Sequence, residues 1–371
     1  MAIDTTYIGG KSFIELRAEG SKADLSKFGV YNDTGTSDKM LLATNYTNPR
    51  KNNMIRVYSL GGGRSYVAAV PGKYEISGTL EYEIQNLQHL KYALGGGPGT
   101  NLSGTSISTD LDGGAINGAS GLKKYRLTED DTLDSFSIDQ YEISTATTND
   151  IRLRYLGCKV NQLTIKSDTE NPLHATIDWI GQRDLIVTEG EITPPSFSSY
   201  TELPKMFYTG TLLINPTLEM DSDGPTGKVS GGDTVVQANS IDMTLTNNLE
   251  PYWSINNSSG RGIKFAIEKQ REYTLKLDLN FTNSDQLKRF YSGLKTASNP
   301  IDTEQYSPFA VIVDYKTPNT YGSDFNQLRF VYRDVFFDET NIPLNPKEIV
   351  KQELTAYAKH LDVFSITSES A

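Results

Sequence analysis

The feature that most constrains this chain is that it resembles itself. Residues 73–94, KYEISGTLEYEIQNLQHLKYAL, are similar to residues 272–294, EYTLKLDLNFTNSDQLKRFYSGL, once one residue is inserted in the second copy. Such a repeat is read before any single element, because it sets the fold unit and the number of units. Tyr74, Ile76, Leu80 and Tyr82 recur with period two in the first copy, as do Tyr273, Leu275, Leu277, Leu279 and Phe281 in the second. Period two sends alternate side chains to opposite faces, so both copies predict half-buried strands. The period then changes. Leu87, Leu90 and Leu94 are spaced three and four apart, as are Leu287, Phe290 and Leu294, which predicts short helices over 86–94 and 284–294. Asn283-Ser284-Asp285 supplies N-cap chemistry for the second, and the glycine-rich run 95–99 stops the first.

A second pair of blocks follows in the same order. Arg152-Leu153-Arg154-Tyr155 parallels Gln327-Leu328-Arg329-Phe330, preceded by the alternating runs 136–143 and 309–313. Two more alternating runs, 174–180 and 351–358, lead into short apolar endings at 185–187 and 361–364. Between the copies, residues 189–199 carry two prolines and small polar residues without any period, as a linker does. The chain therefore reads as mainly β: two tandem similar domains, 1–195 and 196–371, each with one short flanking helix. The first domain carries an N-terminal extension, 1–54, that has no evident counterpart in the second. Stretches 37–54, 95–134 and 219–234 read as protruding loops, and 219–234 as dispensable for folding.

Composition bears on function more than on fold. With 371 residues the chain has length for two cores. Its net charge is −11, divided as −5 over 1–195 and −6 over 196–371, and no basic cluster offers a footprint for a phosphate backbone. Cys158 is the single cysteine, so no intrachain disulfide is possible and a reducing cytoplasm is the expected place of folding. No secretory leader or bilayer-spanning run is legible.

Candidate chemistry is sparse. His89, His174 and His360 are scattered, and Cys158 with His174 lacks the clustered spacing of a zinc site or a nucleophilic pair. Asp110-Leu111-Asp112-Gly113 and Asp221-Ser222-Asp223-Gly224 open like calcium loops but do not continue as such, and read as turns. Gly61-Gly62-Gly63-Arg64 and the run 95–99 lack the lysine and hydroxyl ending of a phosphate loop. Trp179 and Trp253 could form a sugar platform, but read as core or interface residues. No catalytic, cofactor-binding or metal-ligating residue is assigned, and a non-enzymatic chain is expected.

The segments 72–96, 152–182 and 351–364 resemble the strand–helix and paired-strand blocks of the duplicated members of the bacteriophage tail tube family. That resemblance implies a β-sandwich with one flanking helix in each domain. It implies rings whose inner sheets form a continuous barrel, with a trimer standing in for a hexamer, stacked into a tube that conducts viral DNA into the host. Implied partners are further copies of the chain, with tape measure, tail terminator and baseplate proteins. DNA would pass without specific binding, and no membrane would be engaged. The expected location is the virion tail, after assembly in the host cytoplasm. Another virion ring component, a secretion tube and a surface adhesin or surface-layer protein are the alternative readings.

Overall fold

A computed structural model describes residues 12–19, 28–32, 37–40, 43–60, 65–85, 87, 89–95, 104–116, 121–144, 150–190, 205–222, 224–235, 238–255, 260–296, 299, 306–316, 326–346 and 349–367. The first half contains β1 (Phe13–Ala18), β2 (Ser37–Met40), β3 (Ala43–Thr47), β4 (Arg50–Lys51), β5 (Ile55–Val57), β6 (Ala68–Val70), β7 (Glu75–Glu83) and helix α1 (Lys91–Leu94). It continues with β8 (Thr105–Ser106), β9 (Lys123–Leu127), β10 (Phe136–Glu142), β11 (Asp150–Asp168), β12 (His174–Gly181) and β13 (Arg183–Gly190). The second half begins with β14 (Gly210–Ile214), β15 (Thr217–Asp221), β16 (Gly224–Ser230), β17 (Asp233–Val235), β18 (Ala238–Thr246), β19 (Glu250–Tyr252) and β20 (Phe265–Ile267). It ends with β21 (Glu272–Asn280), α2 (Asp285–Ser292), β22 (Phe309–Lys316), β23 (Gln327–Asn341), β24 (Lys351–Ala358) and β25 (His360–Thr367). The chain is mainly β and its sheets are antiparallel, and among the described residues no barrel is closed.

Alternation explains the layers. On β7, β12 and β21 every second residue is buried and the intervening ones are polar apart from Ile180, so each strand offers one face to a core. One sheet runs β2–β1–β10–β11–β13. A second runs β17–β14–β22–β23–β25. The third crosses the whole molecule in the order β3/β4–β7–β12–β11–β18–β21–β24–β23. Strand order is thus the same in the two halves, β2-β1-β10-β11-β13 matching β17-β14-β22-β23-β25 and β3-β7-β12-β11 matching β18-β21-β24-β23. Buried side chains from all three sheets, Leu16, Trp179 and Phe330 among them, join one hydrophobic cluster.

Strands β11 and β23 each serve two sheets, and both change sheet at the same irregularity. The register of β10 on β11 slips between Phe136 and Ile138, and that of β22 on β23 between Phe309 and Val311. At that point Gly157 has φ +65° and Asp334 has φ +52°. Gly157 is required there, since a Cβ would sit 2.7 Å from the Gln182 Cβ and 3.1 Å from the Phe28 ring.

These pairings shift the repeat by two residues. Ile76 faces Gly181 where Tyr273 faces Ala358. The next residues, Gln182 and Lys359, donate their N–H to the carbonyls of Leu156 and Arg333. Ile76 is therefore the counterpart of Tyr273, whereas the textual alignment sets Tyr74 there. Arg152, facing Tyr141, likewise corresponds to Arg329, facing Asp314, and not to Gln327. A slip of two leaves every side chain on its face, so alternation alone cannot detect it.

Other expectations also change. Helix α1 is shorter than predicted, and both helices close on a left-handed glycine: Gly95 donates to the Lys91 carbonyl at 2.8 Å and Gly293 to that of Arg289 at 2.6 Å. Ser284 stands at the N-cap without a side-chain bond, and Asn283 Oδ1 accepts from the Asp285 N–H at 2.9 Å instead. The extension 1–54 does have counterparts, since β1, β2 and β3/β4 take the places of β14, β17 and β18. Stretch 37–54 consequently supplies strands. From 95–134, β9 pairs on β25 and β8 on β9, extending the second half's sheet and burying Leu111, Ile116 and Leu122 against Ile312, Val331 and Phe364. Stretch 219–234 is mostly the β15–β16 hairpin, whose Val229 packs on the same cluster and whose Gly227 carbonyl accepts from buried Arg329 at 2.7 Å. Apolar residues spread through polar text drew these segments inward. The linker falls largely in 191–204, outside the described residues.

Candidate functional site

The two halves meet as one sheet. Residues 162–168 of β11 pair with β18 over seven positions, from Gln162 opposite Thr246 to Asp168 opposite Ser240, with Lys166 facing Asp242. Such a ladder satisfies main-chain donors and acceptors on both strands and permits one register. At the ends of the same sheet the corresponding strands lie open. Among the described residues, β3 and β4 pair with β7 alone, and residues 336–341 of β23 with β24 alone. The first edge is the counterpart of β18 and the second that of β11. Open edges are templates for pairing with another chain.

The counterpart positions fix what would face what. Glu339 faces Thr355 as Gln162 faces Asp178, which makes Glu339 the equivalent of Gln162. Lys51 faces Glu75 as Thr246 faces Glu272, which makes Lys51 the equivalent of Thr246. Joining the two edges in the register of the β11–β18 seam therefore sets Glu339 opposite Lys51. Both are exposed, and opposite charges across a strand pair are favourable by roughly 0.2–1 kcal/mol.

One face of the long sheet is polar. Glu81, Asp178, Asp242, Asp278 and Glu353 lie on it, against Lys166 and Lys276. Thr79 Oγ1 donates to Asp178 Oδ1 at 2.7 Å, His174 Nδ1 lies 3.2 Å from Glu83, and Lys351 pairs with Asp278 at 3.1 Å. An open hollow of about 750 Å³ is lined by Asp242, Lys276, Glu339 and Glu353.

The residues singled out from sequence lie apart. Cys158 is in the core, where burial pushes its thiol well above the ordinary range, while His174 stands on the polar face. His89 is buried edge-on to Tyr82, with ring centroids 5.4 Å apart, and His360 bonds Glu129. Asp110 accepts the Asp112 and Gly114 N–H groups and pairs with Lys316, while Asp112 pairs with Arg329. Asp221 and Gly224 face each other in the β15–β16 hairpin. Among the described residues no group of three His, Cys, Asp or Glu is placed to hold a metal ion. Trp179 is buried in the core and the Lys73 ammonium lies 4.2 Å above Trp253. Residues 61–64 and 96–99 lie outside the described residues.

Sequence reading missed three features. Glu19 is buried under the sheet-switching bulge, its carboxyl accepting from Gly157 N at 2.7 Å and Gly29 N at 2.8 Å, and burial raises its pKa to about 7. Arg329, itself buried between Leu328 and Phe330 on β23, forms an ion cluster with Asp112 and Asp314. The third is the equivalence of the sheet edges. Its textual signal is Asn52-Asn53-Met54 against Asn247-Asn248-Leu249, in which Asn53 and Asn248 share the left-handed φ, +43° and +50°.

Compared with known proteins, residues 23–353 match the family model described as phage tail tube protein. No curated protein matches the chain.

Proposed function

The chain belongs to the phage tail tube protein family, and from that premise we propose that it builds the tube by closing three copies into a ring and stacking the rings. In this reading the chain is two tandem β-sandwich domains, about 1–195 and 196–371, each standing for one sixth of the ring. The observation that carries it is the pair of open edges at β3/β4 and β23, equivalent to the pair already joined at β11–β18. Three chains then make six like seams, three within chains and three between them. Ring closure leaves neither edge of the long sheet open.

The polar face becomes the channel wall. Carboxylates outnumber lysines on it, so passing DNA meets weak repulsion and no array of cations whose binding would release counterions and hold it. The virion tail is its place, reached after assembly in the host cytoplasm, and tape measure, terminator and baseplate proteins are the partners at the tube's interior and ends. The function is structural, without catalysis or cofactor. Purified chain, concentrated and viewed by negative-stain microscopy, is expected to show annuli and stacked tubes with a central channel. Monomers alone at every concentration, or clumps without rings, would contradict the reading.

A further inference from the structure

Beyond the sheet seam, the two halves touch through a hairpin. The β19–β20 hairpin of the second half covers an apolar patch of the first, with Leu249, Ile263 and Trp253 packed on Phe28, Leu133 and Ile180. Lys159 and Glu268 form an ion pair at its border, and Glu268 Oε1 accepts the Leu133 N–H at 3.4 Å.

The first half has the same hairpin. Strands β5 and β6 follow Asn53 as β19 and β20 follow Asn248, and Val57 faces Ala68 where Tyr252 faces Phe265. Met54, Tyr58 and Tyr66 occupy the positions of Leu249, Trp253 and Ile263. Leu249 and Ile263 are 8% and 1% exposed, whereas Met54, Tyr58 and Tyr66 are 50%, 66% and 51% exposed. The first hairpin carries the apolar set with these three side chains left exposed.

The patch that such a hairpin would cover exists at the other end of the chain. Tyr306, three residues before Phe309, stands where Leu133 stands before Phe136. Phe336 and Tyr357, which face each other, occupy the places of the facing pair Lys159 and Ile180. Tyr306 and Phe336 lie 6.3 Å apart and Phe336 and Tyr357 5.8 Å, as one aromatic cluster with Phe336 exposed. Where the covered patch pairs Lys159 with Glu268, this one has Phe336 and the hairpin has Pro71, so the polar border of one contact becomes apolar in the other.

We propose that the β5–β6 hairpin of one copy seats on the Tyr306–Phe336–Tyr357 cluster of the next copy, an intermolecular version of the β19–β20 contact. This rests on the ring reading above. The occupant is a second copy of the chain because the intrachain contact shows which hairpin lies on which patch, and continuity with the sheet seam brings the two together. Large apolar side chains left exposed at both places fit a contact completed by association.

The test uses three full-length chains. One carries Met54→Ser, Tyr58→Ser and Tyr66→Ser, the second carries Phe336→Asp, and the third is unaltered. All four changed side chains are exposed, so circular dichroism and thermal midpoint should match the parent, and Phe336→Ser replaces Phe336→Asp if that chain fails to fold. Each variant alone should need at least about tenfold more protein to form rings, a loss of about 1.4 kcal/mol per seam. Mixed together, they should yield dimers, through the intact hairpin of one and the intact cluster of the other, without closed rings. Variants that assemble as the parent does overturn the docking while leaving the ring reading in place, as does a block from one side of the contact only. A parent that forms no rings removes the ring reading, and this contact with it.

Discussion

Replacing Arg329 by alanine is expected to lower stability by about 3–5 kcal/mol, enough to unfold much of the second half. Its guanidinium is 1% exposed and joins three separate parts of the chain. Nη1 donates to Asp112 Oδ1 at 2.8 Å and to the Gly227 carbonyl at 2.7 Å, and Nη2 donates to Asp112 Oδ2 at 2.7 Å and Asp314 Oδ2 at 2.9 Å. Asp112 comes from the loop before β9, Gly227 from the β15–β16 hairpin, and Asp314 from β22. Without the cation, Asp314 stays buried with its carboxylate accepting from Gln327 Nε2 at 3.0 Å. The fork geometry matters as well as the charge, so Arg329→Lys should fall between parent and alanine variant. Urea unfolding measures both. An alanine variant within about 1 kcal/mol of the parent would show that the cluster contributes little.

Trp179→Ala is expected to cost a further figure of the same size, about 3–5 kcal/mol, for a different reason. The indole is 1% exposed, stacks on Tyr46 with centroids 6.2 Å apart, and lies 5.5 Å from Tyr155. It also fills the space under Gly78, where a Cβ would come within 2.5 Å of the ring. Alanine leaves a cavity among three strands. Tyr46 belongs to β3, the open edge, so the variant should lose ring formation before it loses fold. Thermal unfolding and assembly are the two readouts. Trp253→Ala, at a partly exposed position, should do less to stability, and equal losses from both would refute the ranking.

Much of the architecture is legible in the sequence because period-two alternation survives in it. The strands at 136–142, 174–181, 309–316 and 351–358 fall close to the predicted runs. Alternation cannot fix register, however, and the textual repeat is displaced by two residues for that reason. Nor does it reveal that β3 and β4, separated by Asn48 and Pro49, act together as one edge. The polar stretches 95–134 and 219–234 mislead because their few apolar residues, Leu111, Ile116, Leu122 and Val229, find partners far away in sequence. The assembly surface is legible only by comparing halves: Glu339 and Lys51 carry no motif, and they become a pair through the geometry of Gln162 and Thr246.

The central claim, that the open edges join copies in the register of the internal seam and close after three, is tested most directly by disulfide trapping. A chain carrying both Lys51→Cys and Glu339→Cys places thiols at directly opposed positions within bridging range, while native Cys158 stays buried and out of reach. Oxidised after assembly and run under denaturing, non-reducing conditions, it should give covalent dimers and a closed trimer as the largest species, and neither single variant should crosslink. Assembled protein that fails to crosslink, or a ladder that continues past three chains, would contradict the account.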